Sequence, residues 1–248
     1  MMINFKRQAN AIKNCNKSNK KNNMDEKNKT NKNAVIAEIK VHSPKYGDLL
    51  KQRNELDILN IYEEAGAVGI SYITDKQYFN GDFEVFKKIC KNTELPVLRK
   101  DFITAKDEIE KTAEAGASTI LLIPRLLSEE TAEFVDYANS CGLDTLVEVH
   151  NAQEIEIAKN TKTSMIGINN RDIRKLELDD GTVSLTEKLA NLIPKDRILV
   201  SESGISNLND LNTALKYADA VLVGTSFMKA DFKIQKEFVE SFVRGKYD

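Results

Sequence analysis

Cysteine is scarce: Cys15, Cys90 and Cys141 are the only three in the chain. Three cysteines cannot build a disulfide framework, and the chain reads as one kept in a reducing compartment. No run of eighteen apolar residues occurs, which excludes a membrane-spanning helix. The N-terminus shows no apolar signal-peptide core, so a cytoplasmic protein is expected. Glycine is limited to 11 residues, and no G-x-G-x-x-G follows the first apolar run, so the dinucleotide fingerprint is missing. What is present fits a soluble globular chain: 248 residues, 41% apolar and 30% charged. That length suits one domain and leaves no room for a fused second enzyme.

The formal charge of -2 conceals two unlike parts. Residues 1–33 carry nine Lys/Arg against two Asp/Glu, a net of +7, and ten Asn with eight Lys make up more than half of them. Residues 34–248 carry 27 Lys/Arg against 36 Asp/Glu, a net of -9. The head (1–33) is a basic low-complexity extension. Ile3, Phe5, Ala9 and Ile12 can form one or two amphipathic turns. From Asn14 to Asn33 no periodic apolar positions exist to offset the entropy of ordering, and a mobile segment is expected there.

The body (34–248) has another texture. Eight short apolar runs recur: Val35–Ile39, Val68–Ile73, Pro96–Leu98, Thr119–Ile123, Thr145–Val149, Met165–Ile168, Arg197–Val200 and Ala220–Val223. Their starts lie roughly twenty to thirty residues apart, the length of a βα unit. None alternates strictly, as expected of strands covered on both faces. Helical spacings fill the gaps, for example Leu56, Leu59 and Tyr62, or Leu208, Leu211 and Leu215. "EEAGAVGI" and "AEAGASTI" repeat a helix, a glycine stop and a strand. Eight such units predict an α/β fold, a closed (β/α)8 TIM barrel in a single domain. An open doubly wound sheet is the competitor.

Active sites of this barrel lie at the C-terminal ends of its strands. Glu38 and Lys40 close the first run and share a face by the two-residue period. Arg99, Lys100 and Asp101 close the third and Glu148 the fifth. Asn169, Asn170 and Arg171 close the sixth; Ser201, Glu202, Ser203 and Gly204 close the seventh. One such charge could be a rim ion pair, but several converging in one barrel mouth need a purpose. In the last two loops, Ser203–Gly204 and Gly224–Thr225 offer backbone N–H groups at the positions where such barrels seat phosphate.

These residues resemble one family closely, indole-3-glycerol phosphate synthase of tryptophan biosynthesis. The matching stretches run in family order: "IAEIKVHSPKYG" (36–47), "GAVGISYITDKQYFNGDF" (66–83), "LPVLRKDFI" (95–103), "LVEVHN" (146–151), "IGINNRDI" (166–173), "LVSESGI" (199–205) and "ADAVLVGTSFMK" (219–229). The resemblance implies a lyase that closes, decarboxylates and dehydrates 1-(2-carboxyphenylamino)-1-deoxyribulose 5-phosphate. It needs no metal and no cofactor, because the ring nitrogen serves as electron sink. Carried over by position, Lys100 resembles the general acid and Glu148 the general base, with Glu38 and Lys40 completing the catalytic set. Asn169, Arg171, Ser43, Pro44 and Phe102 resemble substrate-binding and pocket-wall positions. Ser203, Gly204, Gly224 and Thr225 match the phosphate loops. The implied partner is a phosphorylated small molecule, not nucleic acid or membrane. The protein is expected to be a monomer or weak dimer, in transient contact with other tryptophan-pathway enzymes.

Two departures stand out. Val41 occupies a position that is commonly Lys or Arg, with His42 following, which predicts one lost mouth charge. The head is also shorter and poorer in apolar anchors than the family's usual extension, which predicts weaker substrate cover and a raised KM. His150, two residues past Glu148, is expected to cap or orient the fifth loop. A sister phosphoribosylanthranilate isomerase would want a cysteine near the first strand end, where this chain has Glu38 and Lys40. A nucleic-acid or membrane role for the basic head lacks aromatics and an amphipathic stripe beyond residue 12. A decayed, inactive relative would not be expected to keep both Lys100 and Glu148.

Overall fold

The structure is a computed structural model, and it describes residues 7–22, 32–172 and 182–245. Ile3, Phe5 and the stretch 23–31 lie outside them, as does Ile173.

Eight parallel strands close into a barrel. They are β1 (Val35–Ile39), β2 (Gly69–Ile73), β3 (Val97–Lys100), β4 (Thr119–Leu122), β5 (Asp144–Val149), β6 (Met165–Asn169), β7 (Ile198–Glu202) and β8 (Ala220–Val223). Closure comes from β1, which pairs with β2 on one side and, through Val35 opposite Val221, with β8 on the other. All eight runs expected from the sequence are strands. Several reach further at their C-terminal ends than the apolar runs do, taking in Lys100, Asn169 and Glu202. A polar residue ends an apolar pattern but not a backbone ladder.

A helix precedes the barrel and one follows each strand: α1 (Arg7–Asn22), α2 (Glu55–Glu64), α3 (Phe83–Lys91), α4 (Lys106–Glu114), α5 (Thr131–Ser140), α6 (Ala152–Lys159), α7 (Ser184–Leu189), α8 (Leu208–Leu215) and α9 (Gln235–Arg244). Short polar side chains start many of them. Asn54, Asp82, Asn151 and Asn207 each accept from backbone N–H groups of the first turn. The repeated glycine stop has a backbone cause: Gly66 (φ 87°) and Gly116 (φ 86°) turn the chain left-handed after α2 and α4.

Strand periodicity sorts the side chains. Val35, Ala37 and Ile39 face outward and pack with Ile58, Leu59 and Tyr62 of α2 in the layer between barrel and helices. Ile36 faces inward, with Leu98, Leu121, Leu146, Met165, Ile198, Val200 and Leu222, and fills the barrel. Two residues further along β1, β3, β5 and β7 the inward positions become Glu38, Lys100, Glu148 and Glu202. The same alternation therefore builds the apolar plug and the charged layer above it.

The head differs from expectation. Residues 7–22 form one continuous helix rather than one or two turns, so the segment from Asn14 to Asn22, expected to be mobile, is helical here. Gln8, Ala9 and Ile12 are buried, and Ala9 and Ile12 join the interior plug. The Ala9 amide donates to Asp144 Oδ2 at 3.3 Å, and Asn16 Nδ2 donates to the Asp219 carbonyl at 3.0 Å. Asp144 opens β5 and Asp219 immediately precedes β8. The helix α1 thus covers the N-terminal ends of the strands, opposite the mouth, and is not a substrate lid.

Candidate active site

At the C-terminal ends of the strands lies a cavity of about 460 Å³, large enough for a small metabolite. Glu38, Lys40, Lys100, Phe102, Glu148, Asn169, Arg171, Ser203, Gly204, Gly224 and Thr225 all line it. Eleven of the thirteen expected site residues are therefore brought together. Ser43 and Pro44 are not at the wall. Ser43 is fully buried, and its Oγ accepts from the amides of Lys45 (3.3 Å) and Tyr46 (3.4 Å). It bends the first loop, and the bend delivers Lys45 and Tyr46 to the cavity instead.

Lys100 stands at the centre. Its Nζ donates to Glu148 Oε2 at 2.9 Å and lies 3.4 Å from Glu202 Oε2. Burial works against the ammonium, but Glu148, Glu202 and Glu38 outweigh it and hold Lys100 above the ordinary lysine range. Burial would likewise raise Glu148, yet Lys100 and His150 reverse that and hold it well below the usual carboxylate range. Glu202 follows its burial: it is completely enclosed, and its carboxyl is pushed up to about 8. Across neutral pH the trio is an ammonium, a carboxylate and a neutral acid.

Glu202 is the residue that the strand-end reading named but did not place in the site. The available signal was its parity with Val200, which points into the barrel. Gly167 on the neighbouring strand makes room for it, since a Cβ there would sit 2.0 Å from Glu202 Oε1. Its folded acidity implies a stability cost. The folded chain keeps a proton that the unfolded chain releases above pH ~4.3, so stability falls as pH rises from there through about 8. Glu202→Gln should remove this slope and stabilise the fold at pH 7 by about 1–3 kcal/mol, visible as a higher Tm. A variant Tm at or below wild type across pH 6–9 would contradict it.

A second pair sits across the mouth. Lys40 Nζ lies 3.2 Å from Glu38 Oε1 and donates to Thr225 Oγ1 at 3.2 Å, so the first strand end is tied to the eighth. Beyond it are the seventh and eighth loops, which also line the cavity. Ser203 and Gly204 take successive left-handed conformations, φ 64° and 75°, in a tight turn at the cavity wall. Gly224 precedes a short helix, Thr225–Lys229. A Cβ at Gly224 would meet Glu38 Oε1 at 2.2 Å, so glycine is required for the two strand ends to approach. Ser226 Oγ donates to the Ile205 carbonyl at 2.5 Å and joins the loops. Asn170 Nδ2 donates to the carbonyls of Glu202 (2.8 Å) and Ser203 (3.1 Å), fixing the sixth loop to the seventh.

The departures find structural explanations. Val41 packs against the apolar layer outside the barrel, and its carbonyl accepts from Leu49 and Leu50. His42 Nδ1 lies 3.2 Å from the Tyr78 carbonyl, a contact between the first and second loops.

The mouth thus gathers titratable side chains around a metabolite-sized cavity at the end of a (β/α)8 barrel. Comparison with known proteins is specific. The family model for indole-3-glycerol phosphate synthase matches residues 2–239. An indole-3-glycerol phosphate synthase of Pyrococcus abyssi is 66% identical over 212 residues, covering 85% of this chain and 93% of that protein. One from Thermococcus kodakarensis is 67% identical over 201 residues, covering 81% and 88%. Among solved structures, a tryptophan synthase chain from M. tuberculosis superposes with a TM-score of 0.66 at 11% identity, covering 96% of this chain and 98% of that one; that likeness is one of fold alone. The chain belongs to the indole-3-glycerol phosphate synthase family. Its activity is that of a carbon–carbon lyase of tryptophan biosynthesis: 1-(2-carboxyphenylamino)-1-deoxyribulose 5-phosphate becomes indole-3-glycerol phosphate, CO2 and water.

Proposed function

We propose that Lys100 is the general acid and Glu148 the general base of this reaction. The observation that carries the assignment is the placement of the Lys100 ammonium between Glu148 and Glu202 at the centre of the mouth. The aromatic carbon that bears the carboxylate must attack the C2' ketone. Lys100 donates to the ketone oxygen and makes that carbon electrophilic. Attack leaves an iminium-like ring, and loss of CO2 returns the electron pair to restore aromaticity. Dehydration then needs a proton on the departing hydroxyl and removal of one from the adjacent carbon. Glu148, kept ionised by its neighbours, takes the latter. Glu202, neutral at pH 7, is a reserve proton beside Lys100.

The rest of the cavity positions the substrate. The Ser203–Gly204 turn, Gly224, Thr225 and Lys40 receive the phosphate. Phe102, with Leu121 and Ile123 on the same wall, faces the anthranilate ring. Glu38, Asn169 and Arg171 surround its hydroxyls and carboxylate, and Arg171 is set in place by its own amide donating to Asn169 Oδ1 at 3.0 Å. No helix among the described residues is long and apolar enough to cross a membrane. A cytoplasmic monomer or weak dimer meeting its pathway neighbours transiently fits this reading. The test is to supply the substrate and follow indole fluorescence. Glu148→Gln should lower kcat at least a hundredfold while the protein still binds substrate; a variant with near-wild-type kcat would remove Glu148 from the base role.

A further inference from the structure

Behind Glu148, on the side away from Lys100, a second charged chain runs through the wall of the barrel. His150 Nε2 lies 3.4 Å from Glu148 Oε1, and His150 Nδ1 lies 3.1 Å from Glu154 Oε2. Glu154, in the first turn of α6, also accepts from the His150 amide at 2.7 Å, from Asn151 Nδ2 at 2.8 Å and from Arg125 Nε at 2.8 Å. Arg125 in turn meets Asp172 at 3.1 Å. The His150 side chain is 4% exposed and does not line the cavity.

We propose that His150 is a positioning residue: an imidazolium held between Glu148 and Glu154 that keeps the Glu148 carboxylate ionised and aimed into the mouth. The proposal rests on reading Glu148 as the base.

The argument is one of proton counting. Each ring nitrogen lies within ion-pair range of a carboxylate: Nδ1 is hydrogen-bonded to Glu154, and Nε2 stands 3.4 Å from Glu148 Oε1 without the alignment of a hydrogen bond. A neutral imidazole has one N–H and one lone pair, so it would turn a lone pair on either Glu148 or Glu154. Only the doubly protonated ring presents positive charge to both carboxylates. Glu154 cannot relieve the conflict by taking a proton. Burial would raise it, but His150 and Arg125 outweigh that and hold it below the usual range. The charges that face the ring are thus Glu148 from β5, Glu154 from α6 and Arg125 from the short helix after β4, with Lys100 and Asp172 one step further out. Burial and Arg125 oppose the cationic form, yet the two carboxylates prevail, and His150 is raised to about 9. Glu148 therefore has a cation on each side. Lys100 moves a proton during turnover, whereas His150 does not touch the reacting atoms and keeps its charge throughout.

The chain contains two histidines, so the claim can be read directly. NMR of the ring nitrogens of the full-length protein from pH 5 to 10, with His42→Asn for assignment, should show His150 doubly protonated through pH 8. A His150 ring that is neutral at pH 7 overturns the proposal, and this measurement needs no change at the site. Kinetics supply the second readout. His150→Gln should lower kcat about tenfold, leave KM within twofold, and move the acid limb of the kcat profile up by at least one pH unit, because Glu148 has lost a cation. An unmoved acid limb in folded protein overturns it, whatever happens to kcat. Glu154→Gln should instead bring the His150 titration and the alkaline limb down together; independence of the two also counts against the proposal. If Glu148→Gln itself keeps wild-type activity, the base assignment fails rather than the charge state of His150, which the NMR titration reports separately.

Discussion

Replacing Lys100 with alanine is expected to lower kcat about a thousandfold, within the range that one positioned proton donor contributes. The ketone oxygen would lose the donor that polarises it. Lys40, another lysine of the mouth, pairs with Glu38 and Thr225 at the first and eighth strand ends. The loss should fall on kcat, with KM changing little, since the phosphate loops do not involve Lys100. Stability should fall less than the usual cost of breaking a buried ion pair, about 3–5 kcal/mol. Glu148 retains His150 as a counterion, and Glu202 is already a neutral acid. A steady-state comparison of Lys100→Ala with wild type, together with their Tm values, checks both halves. A kcat within tenfold of wild type would transfer the acid role elsewhere, and a collapsed fold would mean that Glu202 is ionised.

Deleting residues 1–22 should have the opposite signature: a Tm lower by more than about 10 °C with KM within twofold of wild type. Ile12 and Ala9 close the interior plug from below. Losing the burial of one such large side chain costs about 1.5–3 kcal/mol, and the deletion also opens Ile36, Leu98, Met165 and Ile198 to water. Several kcal/mol in a chain of this size corresponds to a shift of about 2–4 °C per kcal/mol. The unchanged KM follows from location. The helix α1 binds at Asp144 and Asp219, at the strand starts, while substrate enters at the strand ends. Thermal melts and substrate titration of the truncated protein decide this. A raised KM with an unchanged Tm would instead give the head a part in covering the substrate.

The barrel and most of its site were legible before any coordinates. Eight apolar runs at βα spacing correspond to eight strands, and the polar residues that end them converge because every strand points the same way. The boundaries were less legible. Lys100, Asn169 and Glu202 belong to strands by backbone pairing, and their side chains disguise it. The head misled for a related reason. Its Asn and Lys content argues against order, yet Gln8, Ala9, Ile12 and Cys15 share one helical face, and a ready apolar floor makes two buried side chains sufficient to hold it.

The sequence by itself determined the barrel, the strand ends at which Glu38, Lys100 and Glu148 sit, and the family, because these depend on period and order along the chain. Only the tertiary structure decided which charges meet. Glu202 beside Lys100, His150 between two carboxylates, and α1 beneath the floor rather than above the mouth are contacts between distant segments. Their protonation follows from enclosure, which no local pattern records: once water is removed, each charge is set by the few neighbours that remain within reach.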